Sequence, residues 1–531
     1  MFGLDEKFKG TKIAKFFEVE ERGSSLSGEL KGAFATFMTM AYILAVNPRI
    51  IADSGGPCVP DDDGIFGPAY SACMEEFRKE LITVTALVSM FGCILMGVTA
   101  NLPIALAPGM GMNAYFTYSV VGFRGTGSVS YQAAVTACII EGAIFFVLAV
   151  TGVRYALVRL VPEPIRYATP AAIGAFLAHL GLQTAEGIGL VVSDIATAVT
   201  LGGCPLEKRV PIVALTEACS EIGICVTSDA YTCDDLGGIM TSGTTWIGIF
   251  GMLVMLIFMA YKWNSALIIG IGFVTVVSWF RNTAVTYFDE SPAGEARFEY
   301  FKQVVSVETL DMTLAPFTSD LGQVGLALIT FLYVDFLDTS GTLMGIVSSM
   351  GYVNEEGDFP KSTRAFAVDA LGTMFSAIFG CSPVTSYIES AAGVEAGAKT
   401  GLTAVFCGFF FFISIFFAPI IASIPPWAVG GALIIVGALM ARSLAKVKWY
   451  DVTHASTAFV TVMIMPLTYS IAYGLIAGLL VWTVMQSVFK ILSFAGIEPP
   501  SFEPETMEEA IPEKEIIDSS EKIEDVETPA E

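Results

Sequence analysis

FLYVDFLDTSGTLMGI (Phe331–Ile346) places two carboxylates, Asp335 and Asp338, in a stretch apolar enough to lie in lipid. Two runs follow it: AFAVDALGTMFSAIFG (Ala365–Gly380) carries Asp369, and CSPVTSYIESAAGV (Cys381–Val394) carries Glu389. An ionisable side chain at bilayer depth costs about 3 kcal/mol on insertion scales and is kept where ions, protons or polar solutes move. Asp335 and Asp338 are one helical turn apart, so a helix shows both on one face.

The rest of the chain has the composition of a polytopic membrane protein. Of its 531 residues 54% are hydrophobic and only 15% charged, with a mean hydropathy of +0.66, against roughly 25% charged residues in soluble domains. Apolar runs of spanning length fall near 32–51, 81–99, 131–152, 170–182, 246–260, 267–279, 324–348, 365–379, 401–421, 428–440, 458–470 and 471–491. Two further stretches, 102–121 and 382–394, are apolar but interrupted by Gly, Pro and small polar residues. Together they predict fourteen spans. With both termini inside, most of the 28 basic residues fall on the cytoplasmic side, from Lys7 and Arg22 through Lys361, Lys399 and Lys448, as the positive-inside rule requires. Residues 1–29 lack the apolar core of a signal peptide, so no cleaved leader is expected.

The cysteines agree with that topology. Cys58, Cys73, Cys204, Cys219, Cys225 and Cys233 fall in two loops assigned to the outer side, where up to three disulfides are expected, with the pairing open. Cys93, Cys138, Cys381 and Cys407 lie in spans and read as small packing residues. With no Cys/His cluster and two histidines, no metal site, catalytic set or organic cofactor is expected. The net charge of −24 concentrates in the outer loops and in residues 497–531, an acidic cytoplasmic tail expected to be disordered.

Seven plus seven spans require an inverted repeat. A faint echo joins ATFMTMAYIL (Ala35–Leu44) to ITFLYVDFLD (Ile329–Asp338), with Ala41 opposite Asp335. The interrupted spans, NLPIALAPGMGMNAYF (Asn101–Phe116) and GCSPVTSYIES (Gly380–Ser390), hold the third place in each half. Paired Gly/Pro-broken spans at matching positions point to a midplane site. Pro108, Gly109 and Gly111 in one half, and Ser382 and Pro383 in the other, favour extended backbone before each helix begins. Such backbone survives at this depth only when buried or lining a cavity, and each helix would start there with free N–H groups. A planar polar ligand is expected between these donors and the acceptors Asp335 and Glu389.

Four segments carry a strong resemblance to the AzgA-like purine permeases of the nucleobase–ascorbate transporter superfamily. They are FFEVEERGSSLSGELKGAFATFMTMAYILAVNP (Phe16–Pro48), NLPIALAPGMGMNAYFTY (Asn101–Tyr118), FLYVDFLDTSGTLMG (Phe331–Gly345) and SPVTSYIESAAGVEAGAKTGLTAV (Ser382–Val405). The likeness implies an all-α fold of fourteen spans with short extended strands in spans 3 and 10. It implies a core domain from residues 30–152 and 322–421, and a gate domain from 153–283 and 422–496. A cysteine-rich outer loop covers 184–242 and a second outer loop 284–321. The resemblance further implies a homodimer that imports adenine, guanine and hypoxanthine with protons as the coupling ion, by alternating access; the plasma membrane is the default location, which the sequence does not fix.

On the family's motifs, Asn113, Asp335 and Glu389 fall on substrate-binding positions, with Gly109, Tyr115, Thr385 and Ser386 beside them. Glu389, Asp335 and Asp338 are the candidates for proton coupling. SPVTS departs from the family's usual small-Thr-Ser-Thr pattern beside the ligand, which leaves the purine preference open. Glu141 in CIIEGAIFF reads as a structural partner or coupling element, Asp369 as a helix-bonded acid or proton relay, and His179 as a packing residue on a gate helix. Phe34, Phe37, Tyr115, Phe116 and Tyr387 are candidates for stacking on a base. The alternatives keep the fold but change the cargo to a uracil- or xanthine-type base, a cytokinin-like purine derivative or an anion, or make the protein a facilitative channel. Two acids argue against an anion.

Overall fold

The chain is described from a computed structural model that covers residues 2–60, 65, 67–152, 161–183, 187–194, 198–203, 209–211, 231–233, 240–314, 317–322, 324–352, 359–494 and 496–497. The acidic tail after residue 497, and Cys204, Cys219 and Cys225, lie outside the described residues.

The fold is mostly helical. Among the described residues, seven helical segments are long and apolar enough to cross a membrane: Leu26–Ala52, Ala69–Ala100, Tyr131–Thr151, Gly243–Ala260, Gly325–Ser349, Pro426–Lys446 and Ile471–Phe494. Shorter apolar helices cover Ala266–Ser278, Gly401–Ile415 and Val452–Thr468, and helices Glu163–Leu182 and Ser362–Ile378 occupy two more of the expected span positions. This is an integral membrane protein. Two expected spans are broken rather than continuous. The first divides at Ala41–Tyr42 into Leu26–Met40 and Ile43–Ala52, and the eleventh divides into Gly401–Ile415 and Ala418–Ala422.

The helices pack in two groups. In one, Gly401–Ile415 lies along Pro68–Ala100, while Ser362–Ile378 and Gly325–Ser349 lie along Tyr131–Thr151. In the other, Pro426–Met440 and Val452–Thr468 both pack on Glu163–Leu182, and Gly243–Ala260 packs on Ala266–Ser278. Small residues allow the closest crossings, as expected where helix association depends on backbone approach. A Cβ at Gly401 would sit 2.2 Å from the Gly97 carbonyl, and one at Gly437 would sit 2.3 Å from that of Gly174.

Polar caps lock one end of the first group. Helix Pro68–Ala100 stops at Asn101, whose left-handed backbone turns its side chain toward two segments. Asn101 Oδ1 accepts from Gly401 N at 2.8 Å, and its Nδ2 donates to Phe17 O at 3.0 Å. Glu29, fully buried, accepts from Thr403 Oγ1 at 2.6 Å and from Thr400 N at 3.3 Å. Outside the membrane, Glu18 pairs with Arg22 at 2.8 Å and with Lys361 at 3.2 Å.

At the opposite end, Cys58 and Cys73 form a disulfide, a pairing the sequence had left open. The expected outer loops carry secondary structure of their own. Two antiparallel pairs, Val191–Asp194 with Ala198–Leu201 and Arg209–Pro211 with Tyr231–Cys233, lie in the first. Helix Pro292–Phe301, started by the Ser291 cap, lies in the second.

Candidate functional site

The two interrupted spans meet. Strand β1 (Leu106–Pro108) pairs antiparallel with β6 (Val384–Ser386), the last strand among the described residues, in the register Leu106↔Ser386, Ala107↔Thr385 and Pro108↔Val384; the four loop strands above are β2–β5 in order. Gly109 N to Pro383 O and Tyr387 N to Ala105 O, both 3.0 Å, extend the ladder. Every residue of both strands is buried, so the two outer edges need partners that lipid cannot supply. Helix side chains supply them. Cys93 Sγ lies 3.4 Å from Leu106 N and 3.5 Å from Leu106 O, and Thr373 Oγ1 lies 3.0 Å from Val384 N and 3.1 Å from Val384 O. Cys93 is therefore more than a packing residue. Pro108 O accepts from Tyr387 OH at 2.6 Å and Asn47 Nδ2 at 2.8 Å.

Helix Met110–Ala114 follows β1, and helix Ser390–Glu395 follows β6. Their starts differ from the expectation of matched free donors. Ser390, Ala391 and Ala392 N–H groups each bond a carbonyl three residues back, so tight turns consume them. In the other half Gly109 N is taken by the ladder, while Met110, Gly111 and Met112 hold first-turn positions without intrahelical acceptors. Gly109 is required by close approach: a Cβ there would meet Thr385 Cγ2 at 2.6 Å.

The carboxylates divide into two sets. Glu389 is half-buried at the start of the Ser390–Glu395 helix and accepts from Tyr42 OH at 2.8 Å. Asp338, also half-buried, accepts from Thr385 Oγ1 at 3.4 Å and lies close enough to Glu389 to interact electrostatically. Asp335 and Asp369, both 0% exposed, lie deeper. Thr339 Oγ1 lies 2.7 Å from Asp369 Oδ2, 3.4 Å from Asp335 Oδ1 and 3.2 Å from Thr385 Oγ1. Ser386 Oγ donates to Asp369 at 3.4 Å.

Of the residues singled out in the sequence, the fold brings Glu389, Asp338, Thr385 and Gly109 to one junction. Asn113 is fully buried nearby: Ser382 Oγ donates to its Oδ1, and its Nδ2 has no partner among the described residues. Asp335 is fully buried, with both Glu141 and Asp338 close enough to act on it electrostatically. Tyr115 is buried with its ring edge against Phe331. Phe37 packs on Phe410 and Phe411, Phe116 on Tyr131 and Phe331, and Phe34 is 52% exposed. The aromatic residue touching Glu389 is Tyr42, which sequence reasoning missed; its one signal was its place in the faint repeat, opposite Phe336.

A cavity of about 510 Å³ lies apart from the carboxylates, lined by Asp53, Tyr118, Ser119, Leu180, Gln183 and Tyr469 among others. It borders a contact between the two helix groups, where Ser119 Oγ donates to Tyr469 O and the Tyr469 ring meets Phe176 and His179.

A membrane-embedded strand pair with carboxylates at its helix junction is a candidate site for a polar solute. The Permease family model for xanthine/uracil permeases matches residues 28–228 and 234–488. The chain belongs to this family, within the nucleobase–ascorbate transporter superfamily, and is a transporter rather than an enzyme. It is 42% identical to a Schizosaccharomyces pombe protein named for xanthine/uracil permeation, over 88% of this chain and 73% of that one. It is 40% identical to the efflux pump notK' of Aspergillus versicolor, over 91% and 83%. It is 32% identical to the guanine/hypoxanthine permease PbuG of Bacillus subtilis, over 88% and 92%. Among solved structures it resembles the transmembrane domain of the cyanobacterial bicarbonate transporter BicA, with a TM-score of 0.52 at 15% identity over 86% of this chain and 97% of that one; that likeness concerns the fold alone.

Proposed function

We propose that this protein is a secondary active transporter that carries purine nucleobases with protons by alternating access. The observation that carries the reading is the junction of Glu389, Asp338 and Thr385 at the crossing of β1 and β6, beside the buried Asn113 amide. Carboxylates accept from ring and exocyclic N–H groups, and charge-assisted bonds of this kind hold a planar base in a fixed orientation. An amide donor and first-turn N–H groups from the other half suit its ring nitrogens and carbonyl oxygen. Relatives named for guanine, hypoxanthine and xanthine/uracil permeation support a nucleobase.

In this reading the chain has fourteen spans in two inverted halves, both termini cytoplasmic, and functions as a homodimer in the plasma membrane. Residues 30–152 and 322–421 form the core that carries the base, and 153–283 and 422–496 form the gate. Glu389, Asp338 and Asp335 couple proton movement to the base. A second reading runs the same cycle outward, supported by the relative named as an efflux pump.

The test is uptake and efflux of radiolabelled adenine, guanine, hypoxanthine and xanthine in a permease-deficient cell, with unlabelled competitors and a series of external pH values. Saturable purine uptake that rises as external pH falls supports symport; flux indifferent to pH and to a protonophore contradicts it.

A further inference from the structure

Glu141 projects from helix Tyr131–Thr151 into the same buried space as Asp335 and Asp369, and all three are 0% exposed. Among the described residues none of the three takes part in an ion pair. The titratable groups that act on Glu141 and Asp335 are each other, Asp369 and Asp338, with the Cys138 thiol beside them. None is a cation. The neighbouring Tyr115–Val121 segment turns its tyrosines elsewhere, Tyr115 to Phe331 and Tyr118 to Asp53.

Both Glu141 oxygens and Asp335 Oδ2 are buried, and no donor group among the described residues reaches them. The helices that carry the two carboxyls, Tyr131–Thr151 and Gly325–Ser349, pack on each other, and the two groups lie close enough to act on each other directly. Two ionised carboxylates cannot share such a contact, because neither has a hydrogen to donate and burial removes the water that would screen them. One added proton turns the repulsive pair into a donor and an acceptor. The Asp335 side of the pair leads outward through Thr339 Oγ1 to Thr385 Oγ1, 3.2 Å away, and on to Asp338 at 3.4 Å. Hydroxyls can pass a proton along such a line by accepting one and releasing another.

We propose that Glu141 and Asp335 form a proton-binding pair, separate from the base-binding carboxylate Glu389, which takes up and releases the coupled proton through Thr339 and Thr385. This deepens the symport reading and rests on it. The proton enters and leaves as H⁺, with no redox change and no covalent bond to the cargo.

The first experiment needs no cargo. Difference infrared spectra of the purified full-length protein at neutral pH should contain a protonated-carboxyl carbonyl band that disappears in both Glu141→Gln and Asp335→Asn. Retention of that band in both variants overturns the pair, whatever the substrate proves to be. The second uses proteoliposomes. Glu141→Gln should keep purine binding and equilibrium counterflow of labelled purine while losing accumulation driven by a pH gradient, and Glu141→Asp should restore part of it. Gradient-driven accumulation with a wild-type pH profile in Glu141→Gln overturns the proposal, as does accumulation driven by a sodium gradient at constant pH. Wild-type protein that moves no purine would instead sink the functional reading and leave the infrared result to decide the pair.

Discussion

The Tyr42 hydroxyl donates to Glu389 Oε1 at 2.8 Å, joining the break in the first membrane segment to the turn after β6. A hydrogen bond to a charged group contributes roughly 1.5–3 kcal/mol. Tyr42→Phe removes it without changing the ring's bulk and frees the carboxylate to rotate. Purine affinity of the purified protein should fall by about tenfold, near the low end of that range because Glu389 is half-buried. Unchanged affinity would show that the base is held by other groups.

Gly109 admits no side chain, since a Cβ would press on Thr385 Cγ2 at 2.6 Å. Overpacking of this kind costs about 1–3 kcal/mol, and here the displaced atoms belong to the strand crossing. Gly109→Val should reach the membrane and lose purine transport, with a smaller loss of thermal stability in detergent. Transport at the wild-type rate would show that the β1–β6 spacing does not set the site.

The Cys58–Cys73 disulfide ties the end of the first segment to the start of the next helix across a sequence separation of 15. Closing a loop of this length contributes about 3 kcal/mol in the chain-entropy model, so Cys58→Ser should lower the melting temperature under non-reducing conditions. After reduction of intact cells, an impermeant thiol reagent should label Cys58 from outside. Labelling only after permeabilisation would invert the topology.

Glu18 gives a pH signature outside the membrane. Burial raises its pKa, but the bonds from Arg22 and Lys361 outweigh burial and hold the carboxyl below its ordinary value. A depressed folded-state pKa contributes stability above the unfolded value, and that stability is lost as pH falls through the folded one. Glu18→Gln should therefore melt below wild type at neutral pH, and the gap should close on acidification beneath the carboxylate range. The effect should be modest, since the side chain is a third exposed and solvent screens it. A gap that is constant with pH would assign the loss to packing.

Much of this arrangement is legible in the chain. Apolar runs locate the helices, though Pro68–Ala100, Glu163–Leu182 and Val452–Thr468 begin well before their runs, and Pro108-Gly109 and Ser382-Pro383 mark both buried strands. Glu389 follows from its apolar surroundings. Helical spacing put Asp335 and Asp338 on one face, but it could not show that the helix is enclosed by neighbours, with Asp338 half-buried at the strands and Asp335 fully buried close to Glu141. Glu141 and Tyr42 meet the acids only through tertiary packing of distant segments, which leaves no local pattern. The loop strands at 191–201 lie in a short stretch of mixed polarity without a clean alternation.

The central claim is that Glu389 and Asp338 hold the base, and equilibrium binding of labelled purine to purified protein tests it most directly. Glu389→Gln and Asp338→Asn each keep the side chain's size while exchanging one acceptor oxygen for a donor. Loss of one charge-assisted bond should weaken binding by roughly ten- to a hundredfold in each. Near-normal purine affinity in both variants would contradict the account and move the site away from the strand crossing.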